Sequence, residues 1–486
     1  MFKHALIQDA AYASLLKSTR QQVHQQIARV LEARFPALVE TQPELVAQHY
    51  TAAGCTEQAV VYWLRAGQHA SERSAHVEAI SHCTTGLELL KTLPETPEHT
   101  HHALTLHIAL GAALLMTKGQ AAPEVEHAYA QAYALCQHVG ETPELFPVLF
   151  GLWRFYGARS QWHTARELGD TLLRLAQQAH EPALSVLAHW ALGLTCLWLG
   201  ALPAARLHLE EAITRYTPDQ RDASMFRMGL DPGVACRAYV TMPLWLLGYP
   251  AQAVTRLHEA LALAQELAHP YSLVCARGCA TRIAQLCRDV PAAHEHAAVT
   301  VTLATTQGFP QWAALGTGVR GWALAMQGQS EEGLAQVRQG IAAWRATGAA
   351  WFIPYFCTLL TEIFDSLGHT ADGLQALAEA HTLVEQQEER WWEAEVSRLR
   401  GVLLLRQPGT PQGEAETWLQ RALDVARRQD AKSLELRAVM SLARLWQQQG
   451  KRAEARALLT PVYGWFTEGF DTADLQEAQA LLEALG

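Results

Sequence analysis

Leu199-Gly200-Ala201-Leu202-Pro203-Ala204-Ala205 returns forty-eight residues on as Leu247-Gly248-Tyr249-Pro250-Ala251-Gln252-Ala253. Each copy reads as the end of a helix, a tight turn and the start of a second helix. Gly supplies a left-handed C-cap, and Pro suits the first helical turn because its missing N–H would be unpaired there. The turn recurs as Gly328-Gln329-Ser330, Gly368-His369-Thr370, Pro408-Gly409-Thr410 and Gly450-Lys451. Upstream of it runs a column of small residues: Thr241, Thr281, Gly321, Thr361, Gly401 and Ser441, each forty from the last. Downstream runs a second column, Ala253, Ala293, Gly333 and Gly373, continued after a two-residue slip by Ala415 and Ala455. Leu257, Ala297, Val337, Leu377, Leu419 and Leu459 follow it four residues later. A small residue with a mostly apolar one a helical turn beyond marks a helix packed closely on another.

A fixed period of this length means a repeat protein, in which each unit buries its apolar face only against its neighbours. The expected fold is all-α: a right-handed α-solenoid of tetratricopeptide-like helix–turn–helix repeats with a period of about forty residues. Looser units precede it at about Thr56–Leu93, Pro97–Gly140 and Pro143–His180, for roughly ten helical pairs. The eight extra residues between Leu199 and Leu247 fall in Tyr216–Gly233, whose Pro218, Asp219, Gly229, Pro232 and Gly233 read as a loop. The domain reading is a helical segment over 1–40, repeats over 41–215, a loop insertion over 216–234, and repeats with a C-terminal capping helix over 235–486.

With 486 residues, 49% of them hydrophobic, the chain is too long for one core, and the period selects a solenoid. No apolar run reaches the length of a membrane span, and the N-terminus lacks the layout of a signal peptide. A net charge of −10 with scattered acids, and no basic stripe, argues against nucleic acid. Nine cysteines spread without a paired framework fit reduced thiols in a cytoplasmic compartment. Trp63, Trp153, Trp190, Trp198, Trp245, Trp322, Trp344, Trp418 and Trp446 sit in expected helices, as inter-helix wedges or as the lining of a groove.

Chemical motifs are missing. There is no phosphate-cradling glycine loop, no His-Glu-x-x-His, no Cys-x-x-Cys and no Gly-x-Ser-x-Gly elbow. Cys275 and Cys279 share a helix face near His294 and His296, and His99, His101, His102 and His107 open another helix. Packed thiols and a solvated helix start account for these without a metal. Glu388, Glu389, Glu393 and Glu395 around Trp391 and Trp392 read as a solvated first turn suited to the helix macrodipole. No catalytic residue, metal ligand or cofactor is expected.

Arginines carry the binding expectation. Arg237 and Arg277 are forty apart and share a face that continues as Thr317, Cys357, Ser397 and Arg437; Arg282, Arg320, Arg398 and Arg400 lie on the same helices. The first helix of such a unit lines the concave surface, where a guanidinium can fork a partner's carboxylate or phosphate, or pair with an acid of the next repeat. The candidate concave-face residues are Arg237, Arg277, Arg320, Arg398 and Arg437, with Arg237 and Arg277 expected in a groove for an acidic peptide or ligand.

The opening stretch, Phe2-Lys3-His4-Ala5-Leu6-Ile7-Gln8-Asp9-Ala10-Ala11-Tyr12 through Leu31, reads as two amphipathic helices, the second with Val23, Ile27, Val30 and Leu31 on one side. It resembles the segment that closes the ATPase module of bacterial signal-transduction ATPases, which precedes a long tetratricopeptide-like array. Two further stretches are similar to the branch linked to class III adenylate or guanylate cyclases: Asp231-Pro232-Gly233-Val234-Ala235-Cys236 with Leu244–Pro250, and Tyr463-Gly464-Trp465-Phe466-Thr467-Glu468-Gly469-Phe470-Asp471-Thr472-Ala473-Asp474-Leu475. The nucleotide-binding and cyclase residues of that family have no counterpart here, and the period exceeds the usual thirty-four of tetratricopeptide units, which lengthened helices would explain. A start at Met1 inside an ATPase-closing motif suggests a truncated gene product, a mis-called start or a split protein.

The resemblance implies a non-catalytic regulatory array that binds a protein or small ligand on its concave face, with an ATPase or cyclase domain in cis or in a partner chain. The alternatives are the ligand-sensing array of an ATP-dependent transcription activator and a free-standing scaffold. An exposed apolar face at Phe2, Leu6 and Tyr12 would favour a further domain upstream.

Overall fold

A computed structural model describes residues 12, 14–73, 75–139, 143–217 and 230–486. The described residues form 24 helices and no strand, in successive helix–turn–helix units. This is the α-solenoid expected from the period. Pro270–Leu286 and Val290–Gln307, of 17 and 18 residues, make one unit. Two such helices and two short turns consume the forty-residue repeat.

The two small-residue columns meet where the helices of one unit cross. A Cβ on Gly321 would stand 2.6 Å from the carbonyl oxygen of Gly333, and one on Gly401 would stand 3.0 Å from that of Ala415. Only residues with little or no side chain permit so close a backbone approach. The turns also repeat. Ser160, Gly200, Gly248, Arg288, Gly328, Gly368, Gly409 and Gly450 all hold positive φ, and six of these eight are glycine. Arg288 occupies the glycine position of its unit at φ +60°.

The chain divides into two compact units. The first contains the described residues through Thr117 and Pro123–Gly151. Its core includes Val39, Val46, Tyr50 and Trp63, and the Glu32 carboxylate accepts the hydroxyls of Tyr50 and Tyr62 at 2.6 and 2.7 Å. The helix Lys17–Arg34 buries Ala28 and leaves Val23, Ile27 and Val30 exposed, with Tyr12, Leu15 and Leu16 beside it in sequence. Phe2 and Leu6 lie outside the described residues.

The second unit contains Lys118–Ala122 and the described residues from Leu152 to Gly486. Its first helices, such as Pro270–Leu286 and Lys432–Gln448, are buried along almost their whole length, whereas its second helices bury one face. The reason is that the coil touches itself. Ser433 Oγ donates to the Trp245 carbonyl at 2.6 Å across 188 residues, and Arg288 Nη1 reaches Asp474 at 3.3 Å across 186. Backbone bonds do the same, from Arg390 N–H to Trp198 O at 2.8 Å and from Ala350 N–H to Ala158 O at 3.0 Å. Aromatic rings fill the interior: Trp198 meets Trp351 at 4.7 Å and Trp391 at 5.6 Å, and Phe352 stacks on Trp391 at 5.6 Å.

Of the 216–234 stretch, residues 218–229 lie outside the described residues. At its near end Tyr216 donates to Asp231 at 3.0 Å, and Asp231 caps the helix Pro232–Leu246 by accepting from Val234 N–H at 2.8 Å. Among the described residues no helix is long and apolar enough to cross a membrane.

Candidate functional site

In the second unit the first helices of successive repeats present equivalent positions to one side. Trp322, Glu362 and Val402, forty residues apart, thereby share one wall of a cleft of about 760 Å³. The helix Ala473–Leu485 supplies Asp474 and Glu477 to the same cleft, and the Arg288 turn adds a guanidinium. The lining therefore combines five arginines, namely 288, 398, 406, 437 and 444, with five carboxylates, namely Glu362, Asp365, Glu395, Asp474 and Glu477.

Glu395 is the centre of the floor. It is 1% exposed and takes a two-pronged contact from Arg398, Nε at 2.8 Å and Nη2 at 2.7 Å, with Arg437 Nη1 at 3.3 Å. Burial works against its charged form, but Arg398 and Arg437 overcome it and hold the carboxyl at about 2. Arg437, itself 7% exposed, spends its remaining donors on Asp474 Oδ2 at 2.8 Å and the Leu286 carbonyl at 2.7 Å, and lies over the Trp245 ring. Fully bonded buried charges of this kind fix geometry and contribute little net stability, yet removing one partner is costly. Nearer solvent, Arg288 and Arg444 share Glu477 at 2.6 and 2.9 Å, and Arg406 pairs with Asp365. Burial raises the pKa of Glu362, which accepts the indole N–H of Trp322.

The structure thus brings together Arg398 and Arg437 of the five arginines singled out above. Arg320 donates to Gln336 of its own repeat at 2.8 Å. Arg237 donates to the Gly233 carbonyl at 3.0 Å, lies over the Tyr216 ring and approaches Glu259 at 3.9 Å. Arg277 is half-buried, near His296. Sequence reasoning missed the acids. Glu389 and Glu395 are not in a solvated first turn; they are 0% and 1% exposed, and Glu393 is buried too. Each has a local partner, Trp391 for Glu389 and Arg398 for Glu395, and a second from a neighbouring repeat: Phe352 N–H binds Glu389, and Arg437 binds Glu395. A forty-residue spacing between an acid and an arginine on first helices, such as Glu395 with Arg437 at 42, is the signal that could have found them.

Elsewhere the ligand-like clusters resolve into packing. Cys275 and Cys279 are wholly buried, with Arg282 Nη2 donating to Cys279 Sγ at 2.8 Å. Burial pushes His107 down to about 4, and His99 Nδ1 bonds the Pro94 carbonyl oxygen at 2.7 Å. Among the described residues no group of three or more His, Cys, Asp or Glu side chains is arranged to hold a metal ion.

No protein-family model matches the chain. An uncharacterised protein of Rhizobium meliloti (strain 1021) is 23% identical over 454 residues, which is 91% of this chain and 43% of that protein. The chain therefore spans less than half the length of the curated relative it matches. Among solved structures, a Rap protein complexed with Competence and Sporulation Factor superposes with a TM-score of 0.51 at 13% identity, covering 77% of this chain and 99% of that one. A signal-transduction ATPase with a tetratricopeptide repeat sensor from Pyrococcus horikoshii aligns at a TM-score of 0.36 and 11% identity, over 91% of this chain and 74% of that one. At these identities the Rap likeness is one of fold: a helical-repeat array.

Proposed function

We propose that this chain is a non-catalytic regulatory and protein-interaction array, tetratricopeptide-like, of a signalling ATPase or an adenylate or guanylate cyclase, and that it holds a peptide segment of its partner in the charged cleft. The observation that carries the reading is the cleft itself, in which residues from successive repeats line one wall and the floor pair Glu395–Arg398 is already neutralised. Such a floor gives a partner no uncompensated charge to satisfy. The outer arginines, Arg406 and Arg444, are about half exposed, and an acidic side chain can exchange with their present partners at small cost. The Rap structure offers a parallel, since an array of this fold was crystallised there with a bound factor. The exposed apolar face Val23–Ile27–Val30 supports a second contact with a protein surface.

The test is capture from lysate of the source cell, with mass spectrometry of what is retained and assays of the purified chain for ATP hydrolysis and cyclic-nucleotide synthesis. The reading expects an ATPase or cyclase polypeptide to be retained, its retention to be lost in the R406E/R444E double variant, and no turnover by the chain alone. Retention unchanged by R406E/R444E removes the cleft as the site. Unchanged affinity of the R237A/R277A variant removes the narrower idea that Arg237 and Arg277 form an acidic-peptide groove.

A further inference from the structure

The charges of the cleft do not all cancel. Of its five carboxylates, four meet an arginine: Glu395 pairs with Arg398 and Arg437, Asp474 with Arg437 and Arg288, Glu477 with Arg288 and Arg444, and Asp365 with Arg406. Those pairings engage all five arginines of the lining. Glu362 is left over. Among the described residues it has no cationic side chain within ion-pair distance, and its hydrogen bond is the Trp322 indole N–H on Oε2. The floor of the cleft is neutral and this wall is not.

The surroundings of Glu362 are apolar. Trp322 and Val402 stand forty residues to either side, one repeat away, and Met326 and Leu399 belong to the same lining. Met326 is exposed and Val402 partly so, and both are open to an occupant. Burial raises the pKa of Glu362; Arg437 and Arg398 act on it only from beyond contact, and Glu395 opposes them. A carboxylate in an apolar frame is costly without a cation. With every other acid of the cleft paired, Glu362 is the one position in the lining that calls for a positive charge from outside.

The chemistry of that charge follows from the geometry. Trp322 already holds Oε2, so the two-pronged seat of a guanidinium is half taken, whereas an ammonium needs one oxygen. A four-carbon stem can lie along Val402 and Met326 with the charge at its tip. We propose that the partner segment held in this cleft carries a lysine whose ammonium pairs with Glu362, beside the acidic side chains that meet Arg406 and Arg444. This inference rests on the reading of the cleft as the partner site.

The test uses the full chain with three probes: n-butylammonium as the lysine side chain, n-butylguanidinium and butanol. Titration followed by saturation-transfer NMR is expected to give saturable butylammonium binding with a dissociation constant on the order of 1–10 mM. Butylguanidinium should bind at least about threefold more weakly and butanol at least about tenfold more weakly. E362Q keeps an acceptor for Trp322 and removes the charge, and it is expected to weaken butylammonium binding about tenfold or more. Should E362Q fail to fold, crystals of the wild-type chain soaked in butylammonium decide the matter, with the nitrogen expected within about 3.2 Å of a Glu362 oxygen. Absence of saturable butylammonium binding, equal binding of either other probe, a nitrogen seated elsewhere, or a folded E362Q with unchanged affinity would each overturn the proposal. Capture from lysate separates it from the reading beneath it. The expected result is that E362Q and R406E/R444E both lose the partner. If R406E/R444E loses it and E362Q keeps it, the lysine fails and the cleft stands; if R406E/R444E keeps it, the cleft itself fails.

Discussion

Glu389 accepts the backbone N–H of Phe352 with both carboxylate oxygens, at 2.9 and 3.1 Å, inside the aromatic interior. Phe352 sits at φ +74° immediately before the helix Ile353–Ser366, so this carboxylate holds a left-handed residue at the start of a buried helix. A third bond comes from the Trp391 indole at 2.9 Å. No cation is among these partners, and burial raises the Glu389 pKa to about 7.

The pH consequence has a definite sign. A carboxyl whose folded pKa lies above its ordinary value stabilises the fold when protonated, and that contribution is lost as pH rises from about 4.5 to about 7. E389Q should remove this dependence. Urea unfolding of wild type and E389Q between pH 5 and 8 should show the wild type losing stability relative to the variant as pH rises, by up to about 3 kcal/mol. A constant difference between the two would contradict the assignment. Buried histidines such as His107, lowered to about 4, tilt the absolute profile the other way, and comparison with the variant cancels them.

Glu395 makes the opposite case. Its carboxyl lies far below the ordinary range, so its contribution is present above about 4.5 and is lost as pH falls toward 2. E395Q should cost on the order of 3–5 kcal/mol at pH 7, because it strands Arg398 and Arg437 in the cleft floor. Chemical denaturation measures it, and the acid-side slope should flatten in the variant.

The helix crossing predicts a contrast between glycines. G321A drives a methyl into the Gly333 backbone and should cost about 1–3 kcal/mol or more. G413A meets nothing within 4 Å, at the start of the helix Gln412–Arg428, and should be neutral or stabilise by about 0.5–1 kcal/mol. Thermal midpoints of the two variants should move in opposite directions or differ by several degrees.

Arg288 separates backbone strain from side-chain contact. R288A loses the ion pairs to Asp474 and Glu477 yet keeps φ +60°, whereas R288G loses the pairs and relaxes the turn. R288G should be more stable than R288A by about 1 kcal/mol. Equal midpoints would mean that the turn carries no strain.

The repeat was legible because its determinants are local. Thr241, Gly321 and Ala253 stand in columns since two helices must cross at one height, and Gly248 or Gly328 marks a turn that favours positive φ. Arg288 broke the column silently, since its hold on Asp474 and Glu477 comes from almost 190 residues downstream. The acids around Trp391 were misread for the same reason. A macrodipole argument sees one helix end, while the groups that bury Glu389 and Glu395 belong to other repeats. Of the candidate arginines, Arg398 and Arg437 converge because their helices are neighbours and Glu395 lies between them. Arg237 and Arg320 spend their donors within their own repeats.

The bonds that join Trp245 to Ser433 and Ala158 to Ala350 give this array a property that open arrays lack. A row of units touching only their neighbours can gain or lose one unit and re-form. Here the removal of forty residues anywhere between Trp245 and Ser433 would leave each bracing residue opposite the wrong companion one circuit later. The number of units in that circuit is thus held fixed by the fold, as the tooth count of a gear is held by the wheel it meshes with.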